Sequence, residues 1–239
     1  MTRNMIKAAI SFLVVPVALA FTPYGRAQQQ PPTFQQKLQS LQETMAISQQ
    51  QLHTYQWMET TTLTINGSMK QPKEALCQYG PDGNLVKSSI GSGPSPQVSG
   101  GLLKQHIIRK KIEEFQTEMA DVGSLTALYL PLDKVKFEQA LHTRRVDLER
   151  DGSSGTSVVV NDYAKPGDQL RITFNPQTLQ IQEIKVNSYF AGPQDSLAVQ
   201  VQFSELADET VYPGLTTINA SSKKILITTT ESDFSKPAR

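Results

Sequence analysis

The chain has 239 residues, with 23 Lys and Arg against 22 Asp and Glu for a formal net charge of +1, and it contains one cysteine. This near-neutral charge gives no general attraction to nucleic acid or to an anionic membrane surface, so partners of both kinds are disfavoured. A single cysteine excludes an internal disulfide, so packing and hydrogen bonds must stabilise the fold.

The N-terminus has the pattern of an export signal. Arg3 and Lys7 precede the apolar run 8–20, which at about thirteen residues is too short for a bilayer span of roughly twenty. Two small-residue motifs suit cleavage, one ending at Ala20 and one at Ala27, and we expect cleavage after Ala27. The alternative interpretation of the apolar run is a membrane anchor that is retained. The sequence therefore predicts a signal peptide over residues 1–27 and a periplasmic or secreted protein with no transmembrane span after its removal.

The rest of the chain is predicted to form one domain. About 212 residues remain after cleavage, which is enough to bury one sizeable hydrophobic core. We predict a short linker over residues 28–33, the domain over residues 34–234 and a C-terminal tail over residues 235–239.

The predicted domain begins with a helix and continues into strands. Apolar residues recur three, four or seven positions apart over 34–55, which predicts a helix with one apolar stripe. From Trp57 onward the period changes to two, as in a strand that is buried on one side. Turn motifs at 66–67 and 80–84 then predict an antiparallel meander, with a second strand near 74–79.

A segment rich in Gly, Ser and Pro separates the meander from two further helices. Its composition over residues 91–101 predicts a loop without regular structure, which is more often a linker than a lid. Helical spacing predicts a second helix over 103–122 and a third over 133–142, with Asp133 as N-cap. The candidate inward residues of the third helix are Val135, Phe137 and Leu141.

About the last hundred residues alternate between strand and turn patterns. Strands are predicted over 145–150, 157–163, 170–174, 179–186, 199–203 and 225–227. The inward positions change parity between Ile181 and Ile184, which predicts a β-bulge. Successive strands with short turns favour one curved antiparallel sheet. The prediction is an α+β fold in which two or three amphipathic helices cover an incomplete barrel.

Several of these turn and strand motifs resemble one superfamily. The motifs are the Trp57-bearing strand, the segment Tyr-Gly-Pro-Asp-Gly-Asn-Leu at 79–85, the segment Phe-Asn-Pro-Gln-Thr-Leu-Gln-Ile at 174–181 and the strand 199–206. Their order is similar to that in the periplasmic lipoprotein-localisation carriers, the LolA-like superfamily, over roughly residues 34–234. The resemblance implies an incomplete β-barrel closed by helices, with lipid acyl chains held in an apolar cavity.

Two functions remain open. The first is a non-enzymatic protein that binds a lipid, a lipoprotein acyl chain or another apolar ligand between sheet and helices. The ligand-lining residues would be Trp57, Leu63, Leu170, Ile172, Phe174, Val199, Val201 and Phe203. The second is a structural or interaction module of the cell envelope, with a protein partner, in which the same residues fill a dry core. An enzyme comes third.

Catalytic and metal-binding patterns are absent from the sequence. His53, His106 and His142 are the only histidines, and none has metal-ligand spacing to another His or to Cys77. The serines of the glycine-rich loops do not stand in a Gly-x-Ser-x-Gly elbow. The basic run 109–111 is interpreted as the solvated side of its helix, with docking to an acidic envelope partner as the alternative. We therefore predict no catalytic residue, no metal ion and no cofactor.

Overall fold

The computed structural model describes residues 34–91, 102–132, 134–143, 145–151 and 155–237. Predicted features outside these ranges are the signal peptide (1–27), the linker (28–33), nearly all of the loop (92–101) and the N-cap Asp133. The side chains of residues 102–109, which include His106, also lie outside the described part.

Three helices lie in the described residues: α1 (Phe34–Leu52), α2 (Leu102–Thr126) and α3 (Lys134–His142). The apolar spacing predicts all three. α1 ends earlier than the spacing indicates, because a turn hydrogen bond from the Tyr55 N–H to the Leu52 carbonyl (3.0 Å) leads the chain out of the helix and into a strand. The change of period near this point therefore marks the true helix end.

The inward side of α3 differs from the sequence prediction at one position. Val135 is predicted to face inward, but its side chain is 61% exposed. Among the described side chains of this helix, Phe137 and Ala140 are buried. Two positions along a helix rotate the side chain by about 200°, so Val135 cannot share a side with Phe137, whereas residues three apart can. The side chain of Leu141 lies outside the described part.

The described residues form eleven strands. They are β1 (Gln56–Ile65), β2 (Ser68–Met69), β3 (Lys73–Tyr79), β4 (Leu85–Ile90), β5 (Val146–Asp151), β6 (Gly155–Asn161), β7 (Gln169–Phe174), β8 (Ile181–Tyr189), β9 (Ser196–Glu205), β10 (Val211–Ala220) and β11 (Ile225–Ser235). Their order in one sheet is β4-β3-β1-β11-β10-β9-β8-β7-β6-β5, and β2 pairs with β1. Neighbouring strands are antiparallel, and within the described chain β4 and β5 are unpaired edges. The predicted fold class, α+β with an open antiparallel sheet and covering helices, is confirmed.

The pairing of β1 with β11 joins the two ends of the described chain. Cross-strand pairs run without interruption from Met58 opposite Ser232 to Ile65 opposite Ile225. The hydroxyl oxygens of Thr61 and Thr229 lie 3.3 Å apart across this pair, although the residues are 168 positions apart in sequence. Because β1 also pairs with β3 and β11 with β10, the N-terminal meander and the C-terminal strands form one continuous sheet.

β10 is the longest strand that sequence reasoning does not identify. Pro213 and Gly214 interrupt its apolar alternation, and proline is disfavoured in a central strand. The register with β9 shifts between Pro213 and Leu215, so the proline is accommodated at an irregularity. A side chain at Gly214 would collide with Ser204 on β9. Pairing on both sides therefore decides the conformation here, against the local propensity.

Local turn and bulge signals agree with the structure. Asn66 and Gly67 both have positive φ, 51° and 76°, as a two-residue type I′ hairpin turn requires. Farther along, the register of β7 and β8 shifts after Thr173 and leaves one extra residue in β8. Ile181 and Ile184 are consequently both buried, which confirms the β-bulge predicted from their change of parity.

The hydrophobic core lies on one face of the sheet, here called the inner face. One cross-strand row on this face consists of Leu63, Ile227, Ile218, Val199, Val186, Leu170 and Val160. The helices add Leu41 from α1, Val122 and Leu125 from α2, and Phe137 and Ala140 from α3 to the same buried cluster. The three helices therefore shield the inner face from water through apolar side chains.

A buried hydrogen-bond group anchors the end of α2 to the sheet. The Tyr129 hydroxyl donates to Asp168 Oδ2 (2.5 Å) and lies 2.7 Å from the Ser188 hydroxyl. The backbone N–H groups of Ala164 and Lys165 also donate to Asp168 Oδ2, so three donors compensate this oxygen inside the protein. Within the described residues, the buried Asp168 Oδ1 has no hydrogen-bond partner. Burial and the hydrogen bond to Asp168 raise the pKa of Tyr129, so this phenol stays protonated as a donor.

Replacing Tyr129 with Phe should lower the free energy of unfolding by about 1–3 kcal/mol, because a buried carboxylate loses a donor. The matched control is Tyr55→Phe, whose hydroxyl donates to Asp208 at the solvent-exposed surface (2.6 Å) and should contribute less than about 1 kcal/mol. Urea denaturation at neutral pH measures both. Equal losses in the two variants would contradict the anchoring role of Tyr129.

Candidate functional site

The eight residues proposed from sequence to line a ligand share the inner face but lie in different surroundings. Five of them, Leu170, Ile172, Phe174, Val199 and Val201, are between 0% and 4% exposed and belong to the helix-covered core. Leu63 and Phe203 are partly buried and pack against that core. Trp57 is also buried but belongs to a separate group of aromatic side chains. Whether the eight contact a ligand stays a prediction.

That aromatic cluster consists of His53, Tyr55, Trp57, Tyr79, Tyr212 and Phe234. Trp57 stacks on Phe234 with ring centroids 5.7 Å apart and an interplanar angle of 14°. His53, which follows α1, stacks on Tyr79 of β3 at 3.9 Å. Within the described chain, the buried Trp57 Nε1 has no hydrogen-bond acceptor. The cluster fastens the end of α1 to β1, β3 and β11 through aromatic packing.

Ionisable side chains replace apolar ones on the inner face where β1 meets β11. Glu59 and Glu231 are direct cross-strand partners, and Glu59 shares the inward parity of Leu63. Lys87 on β4 reaches across β3, and its Nζ lies 2.5 Å from Glu59 Oε2. We call Glu59 and Glu231 the carboxyl pair. Two like charges directly opposite each other destabilise a sheet, so their ionisation must be uneven.

Burial is the main reason why the two carboxyl groups differ. It raises the pKa of Glu231 to about 8, the negative charge of Glu59 adds to this increase, and Lys87 opposes it. Glu231 is therefore protonated at pH 7 and able to donate a hydrogen bond. Burial also raises the pKa of Tyr79, and the negative charge of Glu231 raises it further. Burial and the negative charge of Glu59 raise the pKa of Cys77, so its thiol is kept in the unreactive protonated form.

Sequence reasoning misses the carboxyl pair, although a signal for half of it is present. Glu59 stands at the same parity as Trp57 and Leu63, so an acidic residue occupies an inward strand position. Its pairing with Glu231 depends on the contact between the first and last strands, which no local pattern reports. Among the described residues, no group of three His, Cys, Asp or Glu side chains is placed to hold a metal ion.

The outer face of the sheet carries a polar depression of about 440 Å³. Glu149, Arg171, Thr173, Glu183 and Lys185 line it. Its charges are paired, with Arg171 at 2.8 Å from Glu149 and Lys185 at 2.6 Å from Glu183. This lining does not suit an apolar ligand. In the described part of the chain, no helix has the length and apolarity required to cross a membrane.

Comparison with known proteins finds likeness among solved structures. No family model and no curated protein sequence matches the chain. The structure is similar to a LolA superfamily protein from Nitrosomonas europaea, at 8% identity and a TM-score of 0.40 over 84% of this chain and 94% of that chain. The LolA superfamily is also the one that the sequence motifs resemble.

Two further solved structures show a likeness over the same 84% of this chain, both at 8% identity. One is a DUF1329 family protein from Desulfovibrio piger, with a TM-score of 0.38 and 94% of that chain covered. The other is from the MucA/MucB complex of Pseudomonas aeruginosa, with a TM-score of 0.24 and 99% of that chain covered.

The carboxyl pair makes stability depend on pH. The pKa of Glu231 is about 8 in the folded protein against an ordinary value of 4.5, so between these values the folded state holds a proton that the unfolded state releases. Its contribution is therefore full below pH 4.5 and is lost as pH rises through 8. Glu231→Gln should gain stability relative to wild type by about 1–3 kcal/mol between pH 4.5 and 8.5.

Urea unfolding of wild type and Glu231→Gln at pH 4.5, 6.5 and 8.5 measures this difference. Glu74→Gln, an exposed position on β3, is the control for loss of a carboxylate at the surface. A difference between wild type and Glu231→Gln that stays constant across the three pH values would show that Glu231 is not held protonated by its surroundings.

Proposed function

We propose that the protein is exported to the periplasm or secreted, and that it binds an acyl chain, a lipid or another apolar ligand without catalysing a reaction. The ligand lies between the inner face of the sheet and the covering helices. It contacts the residues predicted from the sequence, namely Trp57, Leu63, Leu170, Ile172, Phe174, Val199, Val201 and Phe203. The contact surface is continuous from β7 to β1 because these strands belong to one sheet.

The observation that carries the proposal is the way the helices are attached. At the end of α1, the Val211 N–H donates to Ser48 Oγ (3.5 Å) and the Thr210 hydroxyl donates to Gln51 Oε1 (3.2 Å). At the end of α2, Tyr129 supplies the buried anchor. Between these ends, the residues that α1 and α2 contribute to the core are apolar. Apolar contacts are non-directional, so an apolar ligand can take the place of helix side chains against the sheet.

The described length of α2 covers the sheet unevenly. Val122 and Leu125 near its C-terminus are buried, whereas Phe115 and Met119 are only partly buried against the core. Ile112, one turn farther toward the N-terminus, is 38% exposed. The cover therefore becomes looser with distance from the Tyr129 anchor. We place the entry of an apolar ligand at this looser end of α2.

The energies of such a complex are compatible with binding. Each buried CH₂ group contributes about 0.8 kcal/mol, so a chain that buries about ten of them gains about 8 kcal/mol. The cost of separating helix side chains from the sheet must be subtracted from this gain, together with the lost freedom of the ligand. The expected affinity is therefore modest, in the micromolar range or weaker, which suits reversible uptake and release.

The second candidate function is an interaction module of the cell envelope with a packed core and a protein partner. Close packing favours this alternative, because Leu170, Ile172 and Phe174 are at most 2% exposed and share one buried cluster with the helices. In this case the same inner-face residues provide stability only. The two functions differ in one measurable property, which is whether an apolar molecule enters between helix and sheet.

Binding is tested on protein purified from the periplasm. Native mass spectrometry should show a bound acyl species, and titration with a long-chain fatty acid should shift the emission of Trp57, the only tryptophan, and raise the melting temperature. Phe203→Ala should weaken the affinity about tenfold through lost apolar contact. Leu226→Ala, which truncates an exposed residue of β11 on the outer face, should leave the affinity unchanged.

The binding proposal fails if saturating fatty acid changes neither the emission nor the melting temperature and no lipid accompanies the purified protein. That result favours the interaction module. Equal losses of affinity in Phe203→Ala and Leu226→Ala would place the ligand somewhere other than the inner face.

A further inference from the structure

The two edge strands of the sheet differ in charge. β5 carries Asp147, Glu149, Arg150 and Asp151 among its six residues, and charged side chains of this kind discourage pairing with another strand. β4 carries one charged residue, Lys87, and all six of its residues are exposed. Leu85, Val86 and Ile90 are between 42% and 48% exposed. β5 is therefore guarded by more charge than β4.

The single charge on β4 is directed away from its open edge. Lys87 extends inward across β3, and its Nζ lies 2.5 Å from Glu59 on β1. An ion pair in that direction holds the ammonium group away from the open side of β4. A second strand that approaches this side therefore meets no opposing charge at the centre of β4.

The backbone of β4 has hydrogen-bonding groups available on the open side. The Gly80 N–H donates to the Asn84 carbonyl (2.8 Å), and the uniform register of β3 and β4 continues the alternation from there. In an antiparallel pair, alternate residues bond to the neighbouring strand, so the N–H and C=O groups of Leu85, Lys87 and Ser89 face away from β3. Within the described residues, no strand pairs with this side.

We propose that β4 pairs antiparallel with β4 of a second copy of this chain, with Ser88 opposite the partner's Ser88. The strand is self-complementary in this register. Val86 then lies opposite the partner's Ile90 on the outer face, and two small serines meet on the two-fold axis. Lys87 lies opposite the partner's Ser89. A register centred on Lys87 would place like charges directly opposite each other, which is destabilising.

The pairing continues the sheet from one copy into the other. It satisfies the backbone N–H and C=O groups of Lys87 and Ser89 on each edge and buries the exposed Val86 and Ile90 side chains against each other. Because the partner is identical, the interface is closed, and the pairing stops at two copies. The guarded edge at β5 prevents extension of the sheet in the other direction.

Disulfide trapping tests both the pairing and its register. Ser88 occupies a non-hydrogen-bonded pair, with Cα atoms about 4.5 Å apart, which suits a disulfide. Under mild oxidation, Ser88→Cys should give a covalent dimer. Ser89→Cys should stay monomeric, because residues 89 of the two copies lie too far apart for a disulfide. Equal cross-linking of the two variants would indicate random collision and overturn the proposal. The native Cys77 is buried and does not interfere.

A charge-exchange experiment tests whether the partner of β4 is β4 of a second copy of this chain. Sedimentation should show that the wild type is a dimer at about 0.1 mM. Ser88→Lys and Ser88→Glu, each measured alone, should associate at least tenfold more weakly. Mixing the two variants should restore association, because opposite charges then face each other. Leu148→Lys, on the guarded edge β5, should associate like wild type. A monomeric wild type, or no recovery on mixing, overturns the proposal. Fatty-acid binding by the same variants should be unchanged, so this result is independent of the proposed function.

Discussion

The pairing of β1 with β11 is the interaction on which the rest of the structure depends. It brings together segments such as Thr61 and Thr229, which are 168 positions apart, so it closes nearly the whole domain. Without it, the N-terminal meander would be a separate small sheet with little core of its own. With it, the inner face extends from β4 to β5, and the three helices have one surface to cover.

The same pairing also divides the inner face into two chemical zones. From β6 to β10 the inward side chains are mainly aliphatic and covered by helices, and this zone holds six of the eight proposed ligand contacts. At the seam of β1 and β11, Glu59 and Glu231 meet, and protonation of Glu231 together with Lys87 offsets their repulsion. The carboxyl pair therefore lies between Trp57 and Leu63, the two proposed ligand contacts on β1. It also draws Lys87 away from the edge of β4, which connects the interior charge arrangement to the proposed association of two copies.

Much of the fold is readable from local patterns, for identifiable reasons. The three helices follow from apolar spacing, the first hairpin from Asn66 and Gly67, and the bulge in β8 from the parity of Ile181 and Ile184. β10 is missed because Pro213 and Gly214 oppose a strand locally, while pairing on both sides imposes one. The alternation of apolar residues correctly places the eight ligand-lining candidates on one face of the sheet. Their contact with a ligand stays a prediction.

The sequence by itself predicts an export signal and determines the α+β class and the buried side of the strands that it identifies, because these depend on the order and period of neighbouring residues. Tertiary structure alone decides which strands become neighbours. It alone places Glu231 opposite Glu59, fastens Tyr129 to Asp168 and leaves β4 at an edge. The physical reason is that burial and charge interactions depend on distance in space, and residues far apart in the chain carry no local signal of the contact that they will make.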